Sequence, residues 1–186
     1  MKRLFLTICV CFSFIWGWAQ VEARYDKGNV PVVNGRVFFQ ETIATSQDQS
    51  TSFKRISEWA QQRFNKPNVI VSKFTAEDNT NYTLNLNAEE YIVFTNRFFV
   101  LDRTRINYWV EVQCNENNAT IKLTRINYWY EEEREGGLKF SAESFITDDE
   151  AFSKKGKLLK DQGKFRKGTI DFFDNLVDEM TKVLNN

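Results

Sequence analysis

Two identical six-residue strings, TRINYW, occur in the chain, the first string at residues 104–109 and the second string at residues 124–129. In both strings an Arg, an Asn and a Trp take alternate positions, so on an extended strand the three side chains point to one face. Indole rings stack on planar or sugar-like ligands, and guanidinium and amide groups hydrogen-bond to them. The candidate ligand- or partner-binding residues are therefore Arg105, Asn107, Trp109, Arg125, Asn127 and Trp129.

The sequence also gives these strings a structural role. Residues 115–118 are four polar turn-formers, so the chain around them is expected to form a hairpin in which Val110 pairs with Leu123. Continuing that register would place Arg125 on the apolar side of the hairpin. The sequence therefore predicts a bulge near Thr124 and Arg125, where two residues of one strand oppose one residue of the other.

Beyond the predicted bulge the two strings face each other antiparallel, and each Trp has an Arg across the strand. The predicted pairs are Arg105 with Trp129, Asn107 with Asn127, and Trp109 with Arg125. Such pairs contribute about 0.5–1 kcal/mol each at exposed sites and would hold the register of a long hairpin. The sequence favours this ladder over a binding platform, although a rigid ladder can also serve as a platform.

The remaining residues predict no catalytic site, no metal site and no cofactor. The chain contains no His, which removes the usual general base and the commonest transition-metal ligand. It has no Gly-rich phosphate loop and no metal-ligand spacing. The acidic runs at residues 89–90 and 131–133 are expected in exposed positions without pKa tuning. Residues 147–150 are typical of a capping box that starts a short helical turn.

The N-terminus has the pattern of a secretory signal peptide over residues 1–19. A short basic start precedes an uncharged apolar run, and Gly17 and Ala19 supply the small residues of a cleavage site. A cut after Ala23 and a retained membrane anchor are the alternatives. The sequence therefore predicts an exported protein that is periplasmic, on the cell surface or secreted.

Cleavage of the signal would leave a nearly neutral, slightly acidic domain with a single cysteine, Cys114. One thiol cannot form an internal disulfide, so burial of a core has to hold the domain together, and Cys114 is expected to be a packed residue. A slightly acidic domain lacks the basic surface of a nucleic-acid binder. We therefore expect no nucleic-acid partner, and contact with a membrane only through the signal peptide before cleavage.

The elements that would position the two strings follow in the order strand, helix, four strands, helix. After an irregular segment at residues 20–35, apolar alternation predicts the strands and helical spacing predicts the two helices. The predicted strands cover 36–43, 68–74, 82–94 (continuous or broken near 88–89), 103–114 and 119–130, and the predicted helices cover about 50–64 and 167–184. Residues 131–137 and the basic segment 153–167 are expected to be exposed loops.

Each predicted helix has one apolar stripe to bury. An antiparallel sheet with both helices on one face satisfies both stripes, so the sequence predicts a single α+β domain over residues 36–186. The opposite side of the sheet, called here the helix-free face, would then carry the Arg, Asn and Trp side chains of both strings.

Several segments taken together resemble a family of exported bacterial proteins known as a domain of unknown function (4468). They are VPVVNGRVFFQETI, EYIVF, LDRTRINYWVEVQCNENNATIKLTRINYWYEE and AESFITDDEAFSKKGKLLKDQGKFRKGTIDFFDNLVDEM. The resemblance covers nearly all of the chain after the signal peptide. It implies a fold like one repeat of the TATA-binding protein, with a curved antiparallel sheet and two helices on one side. The family has no established active site whose residues could be carried over to this sequence.

The sequence thus predicts a non-catalytic, exported binding or interaction domain that uses the helix-free face. Its partner would be a protein, a glycan or a small molecule. An alternative is a carrier that holds an apolar ligand between sheet and helices, because the chain has 17 Phe, 6 Tyr and 5 Trp. A filled core would use the same residues. A hydrolase without His would have to rely on a carboxylate mechanism.

Overall fold

The computed structural model describes residues 23–186. The predicted signal peptide at residues 1–19 and the first residues of the predicted irregular segment lie outside the described residues. The strands are β1 (Val32–Val33), β2 (Arg36–Ala44), β3 (Val69–Asp78), β4 (Thr83–Arg97), β5 (Val100–Asn115), β6 (Asn118–Tyr130) and β7 (Leu138–Ser141). The helices are α1 (Gln49–Phe64), α2 (Asp148–Ala151) and α3 (Lys160–Asn185).

All the strands belong to one antiparallel sheet. Its order is β1-β2-β6-β5-β4-β3, and the short strand β7 pairs with β6 beyond the stretch that β2 covers. The predicted α+β class and the predicted order of strands and helices are confirmed. The sequence missed β1 and β7, because two and four residues are too short to show a period.

Helices α1 and α3 lie on the same face of the sheet and contact each other. Helix α1 contacts β4 and β5, and helix α3 contacts β2 and β4. Alternate residues of β4, β5 and β6 are buried toward these helices, including Leu86, Val110 and Ile121. This alternation leaves the other half of each strand on the helix-free face, as the sequence predicts.

Helix α1 begins and ends where the sequence places its signals. The Asp48 carboxylate accepts hydrogen bonds from the Thr51 amide and hydroxyl, which caps the free amides of the first turn. The helix buries Phe53, Ile56 and Ala60 and ends at Phe64, shortly before Pro67.

Helix α3 begins at Lys160, so the prediction of an exposed loop through residue 167 is wrong for its second half. The basic side chains of that stretch hid the helical spacing of the few residues that are buried there, such as Phe165. Arg166 is itself fully buried, because its guanidinium donates to the carbonyl oxygens of Tyr25, Asp26 and Ile146 and pairs with Asp148. A buried Arg with this many partners is tolerated because its charge and all its nitrogens are satisfied.

The short turn predicted at residues 147–150 is the helix α2. Its N-cap residue, Thr147, makes no side-chain capping bond, and its hydroxyl donates instead to the Glu143 carbonyl oxygen. The predicted turn is confirmed, but the reciprocal capping box is not formed.

Candidate functional site

The hairpin that carries the two strings has the register that the sequence predicts. Val110 pairs with Leu123, Arg105 with Trp129 and Asn107 with Asn127. The predicted bulge is present, and Arg125 and Ile126 of β6 together oppose Tyr108 of β5. One predicted pair is shifted by one residue, because Trp109 lies opposite Thr124 rather than Arg125.

The bulge lies where strand β6 changes its outer neighbour. Strand β2 pairs with β6 up to Thr124, and β7 pairs with it from Asn127 onward. Arg125 falls between the two and has a left-handed backbone, with φ of 52°. This local change of direction buries Ile126 toward the helices and leaves the Arg125 side chain exposed.

Each Trp of the two strings does have an Arg across the strand. The Arg105 guanidinium carbon lies 4.8 Å from the centroid of the Trp129 ring, and that of Arg125 lies 4.6 Å from the centroid of the Trp109 ring. The predicted cation–π ladder is therefore present, including the pair whose backbone register is shifted.

The polar side chains of the first string are held by neighbours on both sides. Arg105 forms ion pairs with Glu89 at 3.4 Å and with Glu132 at 2.5 Å. The Asn107 amide donates to Glu89 at 3.1 Å and accepts from Asn87 at 3.3 Å. Because β5 is a central strand, these groups are half-buried and already partnered.

The polar side chains of the second string face outward. Arg125 and Asn127 are exposed, and the Asn127 amide donates to the Arg125 carbonyl oxygen at 3.0 Å, which supports the bulge. Trp129 is half-buried, its indole N–H donates to the Gly136 carbonyl oxygen at 2.8 Å, and the Lys139 ammonium of β7 lies 4.1 Å from its ring centroid.

The turn after β6 is exposed at residues 133–136, as the sequence predicts, but it also closes over Trp129. Gly137 has φ of 68°, and a Cβ there would lie 2.6 Å from the Tyr130 carbonyl oxygen and 2.8 Å from the Trp129 indole nitrogen. Only glycine allows this close approach. The acidic run in this turn supplies Glu132, which binds Arg105 and accepts a hydrogen bond from Tyr91.

A half-open depression of about 460 Å³, called here the Trp129 depression, lies on the helix-free face between β5, β6 and β7. It contains four of the six predicted residues, while Trp109 and Arg125 lie outside it. Its lining is Glu89, Arg105, Asn107, Asn127, Tyr128, Trp129, Lys139, Phe140 and Ser141. A second depression of about 470 Å³ lies on the other side of Arg105 and Trp129, against the turn after β6.

The sequence missed Glu89, Lys139 and Ser141 as members of this site. Glu89 belongs to an acidic pair for which the sequence predicts exposure, and the sequence predicts no strand at β7. Period-two alternation along β4 could have placed Glu89 on the same face as the two strings. Nothing in the sequence shows that β7 pairs with β6, since that contact is set by the path of residues 131–137.

The second member of that acidic pair, Glu90, is buried on the opposite side of the sheet, which corrects the expectation that both are exposed. It accepts hydrogen bonds from Tyr108 and from Asn68, and its carboxylate lies 2.9 Å from a guanidinium nitrogen of Arg63. Burial raises the pKa of Tyr108 well above its usual value, and the Glu90 charge adds to that effect.

Cys114 is fully buried toward the helices, as predicted, and burial raises the pKa of its thiol to about 12. No group of three or more potential metal-ligating side chains comes together within residues 23–186. Over the same range, no helix is both long enough and apolar enough to cross a membrane.

Comparison with known proteins assigns this fold to a family. Residues 38–129 match the family described as a domain of unknown function (DUF4468) with a TBP-like fold. The resemblance seen in the sequence is thereby confirmed. No curated protein matches the chain.

Two solved structures share the fold. The chain is similar to a DUF4468 family protein from Bacteroides ovatus, with 29% identity, a TM-score of 0.80, and 89% of this chain and 95% of that one covered. It is also similar in fold to a TBP-like protein from Parabacteroides distasonis, with 22% identity, a TM-score of 0.69, and 83% and 96% covered. The predicted TBP-like fold is therefore confirmed.

Proposed function

We propose that this protein is a non-catalytic, exported binding domain that contacts its ligand through the helix-free face, at the Trp129 depression. The observation that carries the proposal is the half-open space of about 460 Å³ beside Trp129, which is large enough for one or two sugar-sized rings. Its walls combine the Trp129 indole with several hydrogen-bonding groups, while the rings of Tyr128 and Phe140 pack on the opposite face of the sheet against Phe165.

The polar groups around this space favour a hydroxylated ligand with a negative charge. Asn127 is exposed, and Ser141 and Lys139 line the same space. The carboxylate of Glu89 is already bound by Arg105 and Asn107, so the charge of Lys139 has no matching carboxylate in the lining. A carboxylated oligosaccharide meets these requirements, since its rings stack on an indole and its acid group pairs with an ammonium.

The same contacts support a non-catalytic role. Glu89 and Glu132 are the carboxylates nearest to Arg105, and both are held in ion pairs with it. A hydrolase would need one carboxylate kept protonated and a second one free to act as base or nucleophile. Both carboxylates are instead engaged by the same guanidinium, so neither one is free.

The carrier alternative has less support, because the aromatic side chains between sheet and helices contact one another. The ring of Phe165 lies 5.1–5.4 Å from the rings of Tyr128, Tyr130, Phe140 and Phe145. Such close edge contacts are those of a packed core. Native mass spectrometry that detects a co-purified apolar molecule would reverse this ranking.

The proposed site can be tested by titrating the protein with neutral and carboxylated oligosaccharides in a calorimeter. We expect a carboxylated oligosaccharide to bind, and Lys139→Ala to weaken binding about tenfold or more through loss of a charged contact. Lys122→Ala is the matched control, because Lys122 pairs with Glu111 away from the depression. Equal losses in both variants, or no binding by any member of the panel, would contradict the proposal.

The two Trp residues separate the ladder from the binding site. Trp129 lines the depression and Trp109 does not. Both Trp→Ala variants are expected to lose stability, but only Trp129→Ala should also lose the oligosaccharide. If stability falls in the double variant and the intact protein has no detectable ligand or partner, the ladder alone explains the two strings.

A further inference from the structure

The hairpin that joins β4 to β5 projects beyond the rest of the sheet. Strand β3 pairs with β4 only as far as Glu90, and β6 pairs with β5 only from Thr104 onward. The remaining parts of β4 and β5 pair only with each other, up to Arg97 opposite Val100. Residues 91–103 therefore form a two-stranded ribbon whose tip is the turn Phe98–Phe99.

This tip carries the longest run of exposed large apolar residues within residues 23–186. Phe98 and Phe99 are 88% and 92% exposed, and Val100 and Leu101 are 53% and 55% exposed. The two phenyl rings contact each other, with centroids 4.1 Å apart, and nothing else in the described chain covers them. Phe99 also has a left-handed backbone, with φ of 63°, where Gly or Asn is the usual choice.

The apolar surface surrounds the tip instead of forming one flat patch. Neighbouring residues of a strand point to opposite faces, so Val100 lies on the helix side of the ribbon and Leu101 on the helix-free side. Val93, which is 51% exposed, lies on the same side as Leu101, and the two Phe form the end. A folded protein partner would cover one side of such a tip and leave the other side in water.

Two Arg residues, Arg97 and Arg103, flank the apolar run, one on each strand. Arg97 is exposed, and Arg103 lies over the Tyr91 ring at 3.9 Å and within 3.6 Å of Glu133, which is itself 84% exposed. Apolar and aromatic residues that enter a bilayer are commonly followed by Arg and aromatic side chains at the level of the phosphates. The tip has this arrangement, with Phe98 and Phe99 at its end and Arg97, Arg103 and Tyr91 behind them.

We propose that the Phe98–Phe99 tip inserts into the surface of a phospholipid bilayer and docks the domain on a membrane. A lipid surface is the partner that can surround an apolar tip on all sides, while the flanking Arg side chains reach the lipid phosphates. This contact is separate from the Trp129 depression, and it differs from the expectation that the protein meets a membrane only through its signal peptide.

Flotation of the purified protein with phosphatidylcholine vesicles tests the proposal. The double variant Phe98→Ser, Phe99→Ser is expected to bind vesicles at least about tenfold more weakly. The variant lacks the two exposed phenyl groups whose transfer from water to lipid would favour binding. The matched control is Val32→Ser, Val33→Ser, which removes two other half-exposed apolar side chains in β1. The control is expected to bind like the unchanged protein.

A fluorescent label at the tip gives a second readout that does not depend on any other membrane contact. An environment-sensitive dye attached to Phe99→Cys is expected to shift to the blue and brighten when vesicles are added. The same dye on Asn117→Cys, in the turn between β5 and β6, is expected to stay unchanged. The buried Cys114 thiol does not compete for the label, and Cys9 and Cys11 are replaced by Ser in both labelled variants.

Two results would overturn the proposal. One is a tip label whose fluorescence does not change on vesicles, together with equal flotation of the tip variant and the unchanged protein. The other is a concentration-dependent dimer in analytical ultracentrifugation that the tip variant abolishes while vesicles bind neither protein, because the tip would then be a contact between two copies.

Discussion

The two TRINYW strings have the same six residues but different surroundings, and the surroundings decide what each string does. The first string lies in β5, between β4 and β6, where Arg105 and Asn107 are half-buried and bound to Glu89. The second string lies in β6 where the outer neighbour changes from β2 to β7, and there Arg125 and Asn127 are exposed. A repeated sequence is therefore no guarantee of a repeated role.

The largest expected difference in stability is between substitutions of the two tyrosines of the strings. Tyr108 donates to the buried carboxylate of Glu90, and Tyr128 shares a hydrogen bond with the hydroxyl of Thr169. Tyr108→Phe leaves a buried charge with one donor fewer and is expected to lower the free energy of unfolding by about 2–3 kcal/mol. Tyr128→Phe is expected to cost about 1 kcal/mol. Urea unfolding measures both, and the reverse order would show that Glu90 does not depend on Tyr108.

The second-largest difference in stability is expected between substitutions of the two arginines of the strings. Arg105→Ala leaves Glu89 and Glu132 without their shared partner, and we expect a loss of about 1–2 kcal/mol in the free energy of unfolding. Arg125→Ala removes one exposed cation–π contact and is expected to cost about 0.5–1 kcal/mol. Urea unfolding of both variants makes the comparison. Equal costs would mean that the ion pairs of Arg105 contribute nothing beyond its contact with Trp129.

The strings are expected to respond alike to alkaline pH. Burial raises the pKa of Tyr108 and of Tyr128 in the folded protein above the unfolded value, and it does the same for Cys114. Folding favours the neutral forms of these groups. Their contribution to the free energy of unfolding is therefore complete below the unfolded pKa values, and it is lost as the pH rises above about 9–10. Between pH 7 and a pH above 10, the free energy of unfolding should fall less in each Tyr→Phe variant than in the unchanged protein.

Urea unfolding across the pH range from 7 to about 11 measures this dependence. A stability that stays constant above pH 10 in the unchanged protein would contradict the burial of these phenols. A slope that changes in only one of the two variants would show that the strings differ in burial as well as in polar contacts.

The smallest expected effect is at the bulge. Arg125→Gly removes the strain of a left-handed backbone in a non-glycine residue, which should stabilise the fold by roughly 1 kcal/mol. It also removes a cation–π contact that contributes about 0.5–1 kcal/mol. The net change in the free energy of unfolding is expected to lie within about 0.5 kcal/mol. Repeating the substitution in a Trp109→Ala background removes the second effect, and the variant should then be more stable than its parent. A loss of stability there would mean that the bulge does not strain Arg125.

Sequence reasoning predicted the parts of this fold that are set by period and by local turn chemistry. The alternation in β5 and β6, together with the polar turn at residues 115–118, was enough to predict the register and the bulge. Without the bulge, the register would put Arg125 into the core. Helical spacing likewise predicted α1 over about 50–64, and the structure shows the helix capped by Asp48 and ending before Pro67.

The parts that failed depend on contacts between distant segments. Glu90 lies between Ala88 and Ile92 on the buried face of β4, and its charge is tolerated there because Arg63 of α1 and Tyr108 of β5 bind it. Arg166 is buried only because the segment around Tyr25 supplies carbonyl groups to it. The candidate site needed β7 and Glu89 in addition to the two strings, and neither is marked by spacing within the strings.

The central claim, that identical residues in the two strings are held in the first and exposed in the second, can be tested in one NMR experiment. The rates at which the side-chain amide protons of Asn107 and Asn127 exchange with water are measured on the same ¹⁵N-labelled sample. Both amides donate one hydrogen bond, Asn107 to Glu89 and Asn127 to the Arg125 carbonyl oxygen, but only Asn107 is half-buried. The Asn107 protons are therefore expected to exchange at about one tenth of the Asn127 rate or more slowly. Equal rates, or slower exchange at Asn127, would contradict the account.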